Sequence, residues 1–132
     1  NALDGFSTVA PWTTSFSAAV NASTLVPGQT VRVFEVAIST TTGAVQRVVR
    51  ELASPAEYVV ALATTDTTNR TVAIIPTRPL EQLKSYMAVI TNGVRDAAGN
   101  DATPDQTYFL AKRTSPLSSG TGASCVSLDQ LL

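Results

Sequence analysis

The sequence predicts an all-β sandwich of about seven short strands. Three observations carry that expectation. Short runs rich in Val, Ile, Thr and aromatic residues recur along the chain. Pro, Gly, Asn and Asp fall between the runs as turn signals. Serines and threonines sit beside valines and alanines, as in strands and their connections rather than in helices. With 132 residues, the chain has the size of one ordinary domain and needs no metal or disulfide to complete a core.

The elements follow in order. Asn1 to Pro11 is a lead-in of mixed polarity, and Trp12 to Val20 (WTTSFSAAV) alternates enough to form a first strand. In LVPGQT, Pro27-Gly28 suits a type II turn, because Pro presets φ and Gly supplies a positive φ. VRVFEVAIST then alternates, with Val31, Val33 and Glu35 on one side and Arg32, Phe34 and Val36 on the other; both faces carry apolar residues, so period alone does not orient the strand. After a turn at Thr40 to Gly43, AVQRVVREL is ambiguous. Its Val45, Val48, Val49 and Leu52 have helical spacing, but valine is stiff at χ1 and prefers a sheet, so a strand is favoured and a helix stays open. Ser54-Pro55-Ala56 breaks the chain. Tyr58 to Thr65 and Arg70 to Thr77 read as two strands around a hairpin turn at Asp66 to Asn69, the second limited by Pro76. A short helical turn is expected near residues 79–84. Tyr86 to Thr91 is a further strand, with Tyr86, Ala88 and Ile90 on the face favoured for the core. Gln106 to Lys112 reads as the last strand. From Thr114 the composition turns to that of a linker, before VSLDQLL (Val126 to Leu132) restores apolar residues.

Composition removes several function classes. Net charge is -1 with no basic stripe, so nucleic acid is not expected as a partner. No apolar run approaches the roughly 20 residues of a membrane-spanning helix. There is no histidine, which excludes Ser-His-Asp and Cys-His catalysis, His-containing zinc sites and the zinc-deaminase signature from this chain. The single cysteine, Cys125, makes no internal disulfide; pairing with a cysteine elsewhere and a free thiol both stay open. A start at Asn1 rather than Met suggests a piece of a longer, processed protein.

The remaining chemistry is sparse. Gly120-Thr-Gly-Ala-Ser lacks both a phosphate-binding Lys and the G-x-S-x-G order, and reads as linker. Asp96, Asp101 and Asp105 with Asn100 offer hard oxygen ligands for Ca²⁺, but without EF-hand spacing; capped turns account for them more simply. Glu35, Glu51, Glu57 and Glu81 are scattered and expected to be solvated. Trp12, Phe16, Phe34, Tyr58, Tyr86, Tyr108 and Phe109 could line a glycan-binding face, yet inside strands they serve more simply as packing. No residue is assigned a catalytic, cofactor-binding or metal-binding role, and no cofactor is expected. An open sheet edge that pairs with a neighbour is a third possibility.

Two resemblances add to this reading. PLEQLKSYMAVITNGVRDAAGN resembles the closing half of a bacterial Ig-like domain, whose T-x-G-V-x-D-x-x-G-N loop is matched by Thr91, Gly93, Val94, Asp96, Gly99 and Asn100. More broadly, LDGFSTVAPWTTSFS (Leu3 to Ser17), EYVVALATTD, NRTVAIIPTRPLEQLKSYMAVITNGVRDAAGN and DQTYFLAKRTSPL resemble the N-terminal domain of extracellular lipases of the virulence-factor (Pla-1/cef) type. These resemblances imply an Ig-like sandwich over residues 1–113. Residues 114–132 would then be a linker and the start of an α/β-hydrolase domain. The implied role is a non-catalytic structural or positioning domain of a secreted or cell-surface bacterial lipase, the parent being a carboxylic ester hydrolase. Its partners would be the downstream catalytic domain of the same polypeptide and a lipid surface or the cell envelope. None of the family's catalytic residues can be placed here, because the chain has neither G-x-S-x-G nor His. A stand-alone Ig-like adhesion or glycan-binding module is the alternative.

Overall fold

The computed structural model describes residues 7–111. The chain divides into two compact units, Asn1–Ala102 and Thr103–Leu132. Among its described residues the first contains six strands: β1 (Trp12–Ser15), β2 (Val31–Ile38), β3 (Val45–Glu51), β4 (Tyr58–Leu62), β5 (Thr71–Pro76) and β6 (Ser85–Ile90). They form two three-stranded sheets, β1-β5-β4 and β3-β2-β6, and every pairing is antiparallel. The all-β, Ig-like sandwich expected from the sequence is the fold observed.

One apolar cluster joins the sheets. Val31 and Val33 of β2 meet Tyr58 of β4 and Val72 and Ile74 of β5, together with Val20, Leu25, Leu52 and Val94 from connections. The alternation read in β2 is kept, since Val31, Val33 and Glu35 are all buried. Val36 is buried as well, and the register slips between Glu35 and Val36, where β3 inserts Val49 as an unpaired residue. A second slip at Ala37/Ile38 leaves Gln46 unpaired. The ambiguous segment 44–52 is therefore a strand, β3, and its apparent helical spacing arises from two bulges that displace the valines. Val45, Val48 and Val49 of this edge strand are exposed.

Local chemistry fixes the turns. Gly28 takes φ 78 after Pro27, and Asn69 takes φ 56 in the β4–β5 hairpin. The Asp66 carboxylate accepts the Thr68 N–H at 2.9 Å and the Arg70 N–H at 3.0 Å. Bonds from Thr68 hold its pKa well below the usual carboxylate range. Between β5 and β6, the segment 79–84 turns without forming a helix, and Leu83 adopts φ 60. Among the described residues of the first unit, the short helical element is instead a single 3₁₀ turn at Ala22–Thr24, capped by the Asn21 side chain.

One expected strand is a helix. Residues 106–111 form α1 (Gln106–Ala111), which lies in the second unit. Asp105 starts it: its side chain accepts the Tyr108 N–H at 2.7 Å and its carbonyl accepts the Phe109 N–H at 2.9 Å. The aromatic composition favours a strand, but a strand needs a neighbour for its N–H groups, and no described strand pairs with this segment. The linker from Thr114, the Gly120 segment, Cys125 and VSLDQLL lie outside the described residues.

Candidate functional site

The residues that matched the Ig-like loop pattern each have a definite job. Thr91 donates its N–H to Thr30 O at 2.9 Å and continues the β2–β6 ladder. Gly93 lies so close to Thr30 that a Cβ would stand 2.8 Å from Thr30 Cγ2. Val94 is a core residue. The Asp96 carboxylate accepts the N–H groups of Ala98 (2.9 Å) and Asn100 (2.8 Å), and its second oxygen accepts the Asn100 side-chain amide at 2.8 Å. Gly99 sits at φ 88, which a side chain would strain. Asn100, the largest cause, and the backbone N–H groups hold the Asp96 pKa low. Asp101 pairs instead with Arg95 at 2.9 Å, and Asp105 caps α1. The three aspartates thus serve three separate local purposes.

A calcium titration is accordingly expected to leave the melting temperature unchanged, because the Asp96 oxygens already hold their own loop. Asp96→Ala is expected to lower the melting temperature with or without calcium. A rise in melting temperature with added calcium that Asp96→Ala abolishes would overturn this reading.

Chemistry is denser at a charged cleft that sequence reasoning did not locate. It has a volume of about 280 Å³ and is lined by Arg50, Glu57, Arg78, Pro79, Leu80, Glu81 and Tyr86. Glu35 on β2 and Glu57 just before β4, both expected to be solvated, are buried at 4% and 7% exposure. Each is satisfied by cations. Arg50 Nε donates to Glu35 at 3.0 Å, and Lys84 Nζ pairs with the other Glu35 oxygen at 3.1 Å. Arg50 Nη1 reaches both oxygens of Glu57, at 3.0 and 2.9 Å. The Ala53 N–H donates to Glu57 at 2.8 Å, and Arg78 closes the group. Arg50 of β3 thereby ties its own sheet to the entry of β4 in the other. Bonds from Arg50 and the Ala53 N–H, with Arg78, lower the Glu57 pKa to about 2; Lys84 and Arg50 lower that of Glu35.

The direction of these shifts decides what the cleft can do. A general acid at neutral pH needs its pKa raised, and a general base needs a free oxygen and a pKa near the working pH. Glu57 has neither, so the group acts as an ionic clasp between sheets. A sign of it was present in the sequence, since Glu35 shares an alternating face with Val31 and Val33. A charge at an inward position implies a buried partner.

The aromatic residues divide by environment. Tyr58 is 1% exposed and lies in the core. Trp12, Phe16 and Tyr86 pack against the core, with the Trp12 and Tyr86 rings 6.4 Å apart. Arg32 lies 4.9 Å from the Phe34 ring centre and also pairs with Glu51 at 2.5 Å. Tyr108 and Phe109 are exposed neighbours on α1. Among the described residues, no helix is long and apolar enough to cross a membrane.

No curated protein and no solved structure matches the chain. The family profile of the bacterial Ig-like domain matches residues 5–111, which spans both sheets, the T-x-G-V-x-D-x-x-G-N loop and α1. On that match, together with the two antiparallel sheets around one core, the chain belongs to the bacterial Ig-like domain family.

Proposed function

We propose that the chain is a non-catalytic structural and positioning domain of a secreted bacterial lipase, whose downstream domain hydrolyses acyl-lipid esters. The observation that carries the non-catalytic reading is the use made of its polar side chains. Glu57, Glu35, Asp66 and Asp96 all bond within the fold, and each has a lowered pKa. The chain also has no histidine. An Ig-like sandwich suits a structural or positioning role. The lipase parent rests on the resemblance carried by Leu3 to Ser17 and the blocks that follow it. In this reading the domain's partners are the downstream catalytic domain of the same polypeptide and the lipid surface or cell envelope on which that enzyme works.

Two measurements test the proposal. The 132-residue chain alone is expected to hydrolyse a short acyl ester no faster than buffer, and turnover that survives repurification would overturn the non-catalytic reading. The parent reading frame is expected to continue into a strand-turn-helix segment carrying G-x-S-x-G, with a later histidine. A continuation into further Ig-like repeats would instead favour an adhesion module.

A further inference from the structure

We infer that the outer edge of β6 is an interaction surface for a second copy of this chain, which it accepts as an antiparallel strand. This goes beyond the positioning role and does not depend on it.

The orientation of the β6 backbone follows from two hydrogen bonds. Leu52 N–H donates to Val33 O, so the polar backbone groups of Val33 face β3. Thr91 N–H donates to Thr30 O, so alternate β2 residues from Thr30 onward face β6. In the regular register from Val31↔Ile90 to Val36↔Ser85, the groups of Ser85, Met87 and Val89 therefore face β2. Those of Tyr86, Ala88 and Ile90 face away. β6 ends its sheet, and no described strand takes up these three N–H and three C=O groups.

The four sheet edges are not equally protected. β3 is interrupted by two bulges and carries Arg47, Arg50 and Glu51, devices that block edge pairing. β1 has only 4 residues. β4 begins at Tyr58, which is 1% exposed, so its first outward rung is covered. β6 has neither bulge, proline nor charge along SYMAVI, and Ala88 at its middle is exposed.

The β6 sequence is also complementary to itself. With a twofold axis at Ala88, Tyr86 lies opposite Ile90 of the second copy, an aromatic against a β-branched residue on one face. Met87 lies opposite Val89 of the second copy on the other face. No charged residue falls within the paired segment, so the approach creates no like-charge contact, and Lys84 falls opposite Asn92 of the second copy.

Sedimentation equilibrium of the full 132-residue chain tests the inference. The expected result is a concentration-dependent monomer–dimer equilibrium that shifts to monomer in Ala88→Pro. Proline there removes an outward N–H, and the β2–β6 ladder stays intact. Val89→Lys places a charge opposite Met87 of the second copy and is expected to give the same loss, which covers the case that Ala88→Pro fails to fold. Hydrogen exchange should show the amides of Tyr86, Ala88 and Ile90 protected in proportion to dimer. A monomer at all concentrations overturns the inference, as does a dimer that survives both substitutions. Protection of these amides that is independent of concentration also overturns it, because the chain itself would then occupy the edge.

Discussion

Tyr58→Ala is expected to destabilise the domain by about 3–5 kcal/mol, the range for removing a buried aromatic side chain. A domain of this size is stable by only about 5–15 kcal/mol, so the variant should be largely unfolded well below the wild-type melting temperature. Part of the effect is not packing. The Tyr58 hydroxyl accepts the Gly28 N–H at 2.9 Å and donates to Val31 O at 3.1 Å, which fastens the 26–31 turn and the start of β2 to β4 in the opposite sheet. Its burial raises the phenol pKa, so it stays a neutral donor. Tyr58→Phe keeps the ring and removes those two bonds, and should cost about 1–3 kcal/mol. Urea unfolding of both variants separates the contributions. A Tyr58→Phe variant as stable as wild type would show that the hydroxyl bonds contribute nothing net.

The second large effect is pH-dependent. The Glu57 carboxyl has a pKa of about 2 in the folded protein, against an ordinary value of 4.5. A depressed pKa contributes stability above the unfolded value, and that stability is lost as pH falls through the folded one. Glu57→Gln should therefore be less stable than wild type at pH 7, by about 1–3 kcal/mol. This is below the range for breaking a fully buried pair because its cations reach solvent. Side-chain exposure is 38% for Arg50 and 62% for Arg78. The two proteins should converge in stability between about pH 5 and pH 2. Chemical denaturation at a series of pH values reads this difference directly. A gap that stays constant down to pH 2 would place the effect of the substitution in packing rather than charge.

The strands were legible because their chemistry is local. β-Branched runs marked β2, β4, β5 and β6, and Pro27-Gly28 marked its turn through the φ 78 that Gly28 adopts. The T-x-G-V-x-D-x-x-G-N loop could also be read, since Asp96, Gly99 and Asn100 act on one another within five positions. What escaped depends on contacts that the local pattern of residue types does not show. Glu57 looks solvated until Arg50 and Arg78 are brought to it by two different strand ends, one from each sheet. The β3 bulges are invisible locally, because an unpaired Val49 is defined only by its neighbour across the ladder. The segment 106–111 reads as a strand by composition alone, and the Asp105 cap outweighs composition where no described strand pairs with it.

The clasp at Glu35, Arg50 and Glu57 has a bearing on how the domain tolerates brine. At 1 M salt the Debye length shrinks to about 3 Å, and exposed pairs such as Arg95–Asp101 lose most of their attraction. The clasp's two carboxylates are buried and bonded at close to that distance, where few ions can come between the partners. The joint between the sheets thus holds across swings in ionic strength that would loosen a purely superficial one.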